Sequence, residues 1–176
     1  MRKNNKRIVA IALLVAFGLW LIFTVLPSSS NKNSQGGKQV NRVEPKFQKE
    51  AVLAVLDSSA SDTIKVFDIE LCESMNEIQY GMMYRKSMDP NTGMLFIMGD
   101  ERKQSFYMKN TFVPLDIIFI NNNMEVVSIQ KNAKPFDETS LPSTGPASYI
   151  LEILGGESDK LGISAGNKIS WQRWNK

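Results

Sequence analysis

The hydrophobic pattern of this chain changes period several times, and each change marks an expected element. Ile8 to Leu26, IVAIALLVAFGLWLIFTVL, runs 19 residues without a charge. As a helix rising about 1.5 Å per residue it would match the hydrocarbon core of a bilayer. From Pro27 to Lys46 periodicity vanishes and Ser, Asn, Gly and Lys dominate, which predicts a flexible tether. Residues 47–62 hold either a strand or a short helix, which their period does not separate. TIKVFDIEL, Thr63 to Leu71, alternates as a strand does. SMNE, Ser74 to Glu77, is a capping box and predicts a helix of about ten residues ending near Tyr84. DPNTG, Asp89 to Gly93, predicts a turn with fixed φ at Pro90 and permissive φ at Gly93, and MLFIM after it reads as a buried strand.

SFYMKNTFVPLDIIFI, residues 105–120, reads as interior strand interrupted by Lys109, Asn110 and Asp116. IIFINNNMEVVSI predicts a hairpin about Asn121 to Asn123, because Asn tolerates the left-handed backbone that a tight turn needs. KPFDETSLPSTGP, residues 134–146, predicts a long surface loop. SYILEIL follows as a strand, then a turn, a short helical turn and a closing strand. The expected fold is mainly β, a compact barrel or jelly-roll-like sandwich with one short helix, preceded by a transmembrane helix. Residues 1–7, 8–26, 27–46 and 47–176 divide into a basic cytoplasmic segment, a signal-anchor, a linker and the folded domain.

Charge assigns the sidedness. Arg2, Lys3, Lys6 and Arg7 precede the apolar run and should stay in the cytoplasm, which sends the domain across the membrane. The domain is therefore expected to be extracytoplasmic, and periplasmic where the envelope has an outer membrane. A signal peptide cleaved near Ser28 to Ser30 is the competing reading, but its apolar core usually runs only ~7 to 15 residues. From Phe47 onward the chain has 13 Lys and Arg against 17 Asp and Glu, a net charge of −4. A nucleic-acid partner would call for a basic footprint there, so none is expected.

Composition removes much chemistry. Cys72 is the only cysteine and there is no histidine. An internal disulfide, a Cys-type zinc site, a C-x-x-C redox pair and the Ser-His and Cys-His nucleophile systems are thereby excluded. The charged DERK run, Asp100 to Lys103, reads as a solvated loop.

Several ordered blocks resemble a known family. IELCESMNEIQYGMMYRKSM, GMLFIM, SFYMKNTFVPLDIIFI, ASYILEIL and LGISAGNKI are similar to the successive blocks of the bacterial domain-of-unknown-function family 192, over roughly Ile64 to Trp171. The family's Met-Lys-Asn matches Lys109 and Asn110, and its Pro-Leu-Asp and Leu-Glu steps match Pro114 to Asp116 and Leu151 to Glu152. Its usual Trp is Tyr107 here, and its Gly-Leu-Met block is Gly81, Met82 and Met83. The resemblance implies a small β-rich, barrel-like or jelly-roll-like domain, often behind an export signal or anchor. It implies no particular activity.

Three chemistries are compatible with the residues. Alternation puts Phe106, Met108 and Asn110 on one side and Tyr107 and Lys109 on the other, while Asp116 shares a side with Ile118 and Ile120. A buried Asp116 needs partners, and the amides of the 110–113 bend would supply them in a structural role. Alternatively Lys109, Asn110, Asp116 and Glu152 converge at one end of the barrel, with the 134–146 loop as a rim, and bind a small polar ligand such as a sugar or an anion, or an envelope protein. Taken alone, Glu152 reads as a solvated strand position. Asp116 with Glu152 would be the pair for an acid/base hydrolase acting on envelope carbohydrate. Met82, Met83, Met94, Met98 and Met108 could bind Cu(I), against the plainer reading that they fill the core. Ligand binding without catalysis, metal or cofactor is the expectation.

Overall fold

The computed structural model describes residues 44–174, so the basic segment, the anchor and the tether before Glu44 lie outside the described residues. Among the described residues no helix is long and apolar enough to cross a membrane. Strands β1 (Ala51–Leu56), β2 (Thr63–Cys72), β3 (Thr92–Phe106), β4 (Leu115–Ile120), β5 (Val126–Ala133), β6 (Leu141–Leu154) and β7 (Lys168–Arg173) form one sheet in the order β5-β4-β6-β3-β2-β1-β7. Among the described residues two short helices accompany them, α1 (Met75–Tyr80) and α2 (Glu157–Leu161). The sheet curls until Glu125 bridges Lys168 and Val126 N donates to Asn167 O at 2.8 Å, which joins the start of β5 to β7. The mainly β expectation holds, and its form is a seven-stranded half-barrel in place of a two-sheet sandwich.

Alternation explains which side chains go inward. In β1, Ala51, Leu53 and Val55 are buried and their neighbours are not, so the undecided 47–62 stretch resolves as a strand between β2 and β7. One face of the sheet gathers Leu53, Phe67, Leu95, Ile118, Leu151 and Ile153, and the other gathers Met94, Phe96, Ile117, Phe119 and Ile150. Both faces are therefore covered, and central strands read as apolar on both sides.

Among the described residues only β2 and β3 pair in parallel. A parallel pair cannot be closed by a tight turn, so residues 73–91 must cross over the sheet. This crossover carries α1 and covers the second face. The capping box forms, with Glu77 N donating to Ser74 Oγ at 3.2 Å and Ser74 N to Glu77 Oε2 at 2.8 Å. The helix nevertheless ends at Tyr80, not near Tyr84. Gly81 ends it at φ 44°, and Tyr84, at φ 66°, donates its amide to Asn110 O at 2.9 Å.

Other local expectations are corrected in the same physical terms. The Asp89 to Gly93 turn forms through Thr92 N to Asp89 O at 3.0 Å, but Gly93 is not needed for its φ. A β-carbon there would stand 3.1 Å from Leu151 Cδ1 and 3.2 Å from Glu152 O, so Gly93 serves close strand approach. The DERK run is exposed as expected but belongs to β3. The predicted 134–146 loop ends early, because β6 begins at Leu141. Pro142 and Pro146 pair with Ser105 and Lys103 beside a register shift, where a missing N–H is tolerated. The SFYMKN strand stops at Phe106, and residues 107–114 form a bend. The β4–β5 hairpin forms, yet its left-handed residue is Met124 at φ 58°. Asn121 instead uses its side-chain oxygen, which accepts from Asn123 N and Glu125 N at 2.9 and 3.0 Å.

Candidate functional site

Asp116 is fully buried, as alternation implies, and its partners are main-chain amides. They come from distant segments and not from the 110–113 bend. Oδ1 accepts from Asn132 N at 2.7 Å and Gly156 N at 3.0 Å, and Oδ2 accepts from Ser158 N at 2.8 Å. The carboxylate ties the end of β5 and the turn into α2 to the start of β4. All of this is structural work.

The four proposed ligand residues do not share one site. Lys109 is exposed in the bend, with its Nζ 4.0 Å from Glu138 Oε2. Asn110, at φ 54°, donates from Nδ2 to Tyr84 Oη at 3.0 Å and so clamps the crossover to the bend. In the β4–β6 ladder Asp116 pairs with Ile153, and Ile117 with Glu152. Paired residues point to the same face, so Asp116 and Glu152 point to opposite faces of one sheet. The paired-acid geometry for glycoside hydrolysis is thereby not made.

Glu152 itself differs from the solvated position its sequence suggested. It is only 5% exposed, and its Oε2 has no hydrogen-bond partner. Burial alone pushes its carboxyl up from an ordinary 4.5 to about 8, so it is mainly protonated at neutral pH. An unpartnered buried carboxyl is costly, which makes it informative.

The crossover roofs Glu152. Between them is a cleft of about 180 Å³ whose walls include Ile78, Gly81, Met83, Phe96, Met98 and Thr111. Tyr80 and Tyr107 line it too while remaining 55% and 47% exposed, so they stand at its mouth. Gly81 permits the roof to approach: a β-carbon there would meet the Phe96 ring at 2.8 Å and lie 3.9 Å from Glu152 Oε2. Gly81→Ala should therefore lower stability by about 1–3 kcal/mol, from a left-handed φ and overpacking together. Urea denaturation of both proteins checks this, and an unchanged midpoint would refute it.

Adjacent cavities are built differently. One of about 360 Å³ reaches Cys72 on the far side of Gly81 and Met83. Burial, then the charges of Glu152, Glu77 and Glu70, push that thiol well above its ordinary range, so it is an unreactive thiol. Another, about 540 Å³, includes Phe47, Met88, Glu70 and Arg85. Its carboxylates are already occupied: Arg85 pairs with Glu70 at 2.8 Å and Gln48 N donates to it at 2.9 Å, Lys86 N donates to Glu44 and Asn91 N to Asp89. Met82, Met94 and Met108 are buried with Phe96 in the apolar cluster and Met98 packs against it, while Met82, Met83 and Met98 border the Glu152 cleft. Packing and cleft wall thus account for the five methionines, two of which do both.

A single-sheet β half-barrel with a crossover roofing one isolated acid defines the class of this domain. The chain belongs to the DUF192 family, described as uncharacterized ACR, whose model matches residues 56–171. A UPF0127 protein of Pyrococcus furiosus is 30% identical over 95 residues, covering 53% of this chain and 77% of the relative. The crystal structure of a protein of unknown function from Novosphingobium aromaticivorans is 38% identical with a TM-score of 0.64, covering 68% of this chain and 84% of that one. A Sinorhizobium meliloti protein, called a "putative transcription regulator", is 34% identical with a TM-score of 0.66, covering 73% and 98%.

Proposed function

We propose that this is a membrane-tethered, extracytoplasmic domain that binds a small uncharged polar ligand in the cleft over Glu152. The observation that carries the reading is the unpartnered Oε2 of that buried residue. A protonated carboxyl can donate one hydrogen bond and accept others, so a hydroxyl- or carbonyl-bearing ligand would satisfy it. An anion fits less well. Its charge would face an acid with no cationic neighbour, and it would raise the cost of ionising Glu152 further. The uncharged apolar run at 8–26, with four basic residues ahead of it, supports the tether.

Transcription regulation, the role named for the Sinorhizobium relative, receives less support. Binding DNA calls for a basic face, and the chain from Phe47 onward carries 13 basic against 17 acidic residues.

Thermal melting of the full chain against uncharged sugars and small anions tests the proposal. A ligand at 100 times its Kd should stabilise the fold by about 2.7 kcal/mol. An uncharged sugar should raise the melting temperature, and Glu152→Leu should abolish the rise. A shift that survives Glu152→Leu, or a panel in which only anions shift the protein, would refute it.

A further inference from the structure

The shape and lining of the cleft narrow the ligand class. The space is about 180 Å³, smaller than a typical pocket for a whole drug-sized molecule, which runs from about 300 Å³. It therefore suits a substituent better than an entire sugar. Its apolar lining includes Ile78, Met83, Met98 and Phe96, its buried polar atom without a partner is Glu152 Oε2, and the exposed Gln79 also lines it. A bare hydroxyl would satisfy the oxygen but leave the apolar wall without contacts. A hydrocarbon group would do the opposite. The substituent that matches both carries a carbonyl and a methyl on neighbouring atoms.

The mouth supplies the second, independent observation. Tyr80 comes from the end of α1 and Tyr107 from the bend after β3, and both line the cleft while exposing about half of their surface. Half-exposed aromatic side chains beside an apolar cleft with a buried acid provide platforms for an amphipathic ring whose C–H face is apolar and whose edge carries hydroxyls. Ser105, which also lines the cleft, pairs its hydroxyl with that of Ser140 at 2.7 Å and offers further hydroxyl contacts at this rim.

We propose that the cleft takes the acetamido group of an N-acetylated aminosugar at the end of a glycan, with the carbonyl directed to Glu152, the methyl against Met83, Met98 and Phe96, and the pyranose ring between Tyr80 and Tyr107. This rests on the ligand-binding reading above and specifies its substrate class. Binding is non-covalent. The carboxyl donates to the acetamide oxygen, and the apolar wall excludes a charged amine in the same place.

Isothermal titration of the full chain, solubilised in a detergent without sugar headgroups, separates this proposal from the one beneath it. The probes are tri-N-acetylchitotriose, cellotriose and the de-N-acetylated chitotriose. The first should bind at least about tenfold more tightly than either of the others, a difference of about 1.4 kcal/mol. Tyr107→Ala should weaken binding of the N-acetylated trimer, and Glu152→Leu should erase its advantage over cellotriose. Equal binding of N-acetylated trimer and cellotriose, lost in Glu152→Leu, would overturn the acetamido assignment while sparing the uncharged-ligand reading. Absence of binding by the N-acetylated trimer would overturn the assignment as well. If an uncharged compound without a sugar ring then shifts the melting temperature in a Glu152-dependent way, the broader reading survives. If none does, both fail.

Discussion

Replacing Asp116 with alanine is expected to lower stability by about 4 kcal/mol, the largest effect expected of a substitution away from the cleft. Three amides, from Asn132, Gly156 and Ser158, lose a charged acceptor at 2.7 to 3.0 Å. Each stranded amide costs about 1–3 kcal/mol, and those near the surface recover part of this from water. Asp116→Asn keeps one oxygen acceptor and should lose roughly half as much. Guanidinium denaturation at neutral pH gives both values. A loss below about 1 kcal/mol for Asp116→Ala would show that the three segments hold together without it.

Stability should fall as pH rises from 4.5 through 8, and Glu152 sets the size of the fall. Its unfolded carboxyl titrates at 4.5 and its folded one at about 8. Between those values the folded state keeps a proton that the unfolded state has shed, so folding weakens with rising pH and levels off above 8. At about 1.4 kcal/mol per pH unit across that window, the full loss is up to about 5 kcal/mol. Burial also raises Glu70, opposed by the Gln48 amide and Arg85, and this acts with the same sign. Cys72 adds a further loss above its ordinary value of 9.0. Asp57, Glu77 and Asp137 are shifted down and act only at acid pH. Glu152→Gln should flatten the profile between pH 4.5 and 8 and be more stable than the native protein at pH 9. Denaturation profiles across pH check both statements, and parallel profiles for the two proteins would refute them.

Sequence pattern identified most strands, the capping box and the β4–β5 hairpin, because each depends on neighbours within a few residues. The burial of Asp116 was also readable from its place between Leu115 and Ile118. Its partners were not, since Asn132, Gly156 and Ser158 are brought to it by tertiary packing. The pairing of Asp116 with Glu152 failed for the same reason. Each strand's alternation was visible, but which faces coincide depends on the β4–β6 register.

Glu152 was misread although a signal was present. In SYILEIL the set Tyr149, Leu151 and Ile153 is apolar, and the other set still places Ile150 and Leu154 on either side of Glu152, the mark of a strand covered on two sides, which leaves its acid buried. Tyr80 and Gly81 carried no local sign of a site, because their roles come from a crossover that exists only once β2 and β3 pair in parallel. The prolines of β6 misled in the opposite direction, since a register shift accommodates them within a strand.

The claim on which the ligand reading stands is a neutral carboxyl held under α1 at physiological pH. Carbon-13 NMR of the side-chain carboxyls, with Glu152 assigned by comparison with Glu152→Gln, measures it directly. A titration midpoint near 8 is the expected result. A midpoint in the ordinary carboxylate range, near 4.5, would contradict the account, because it would mean that Glu152 is hydrated or paired and that no unsatisfied acid lines the cleft.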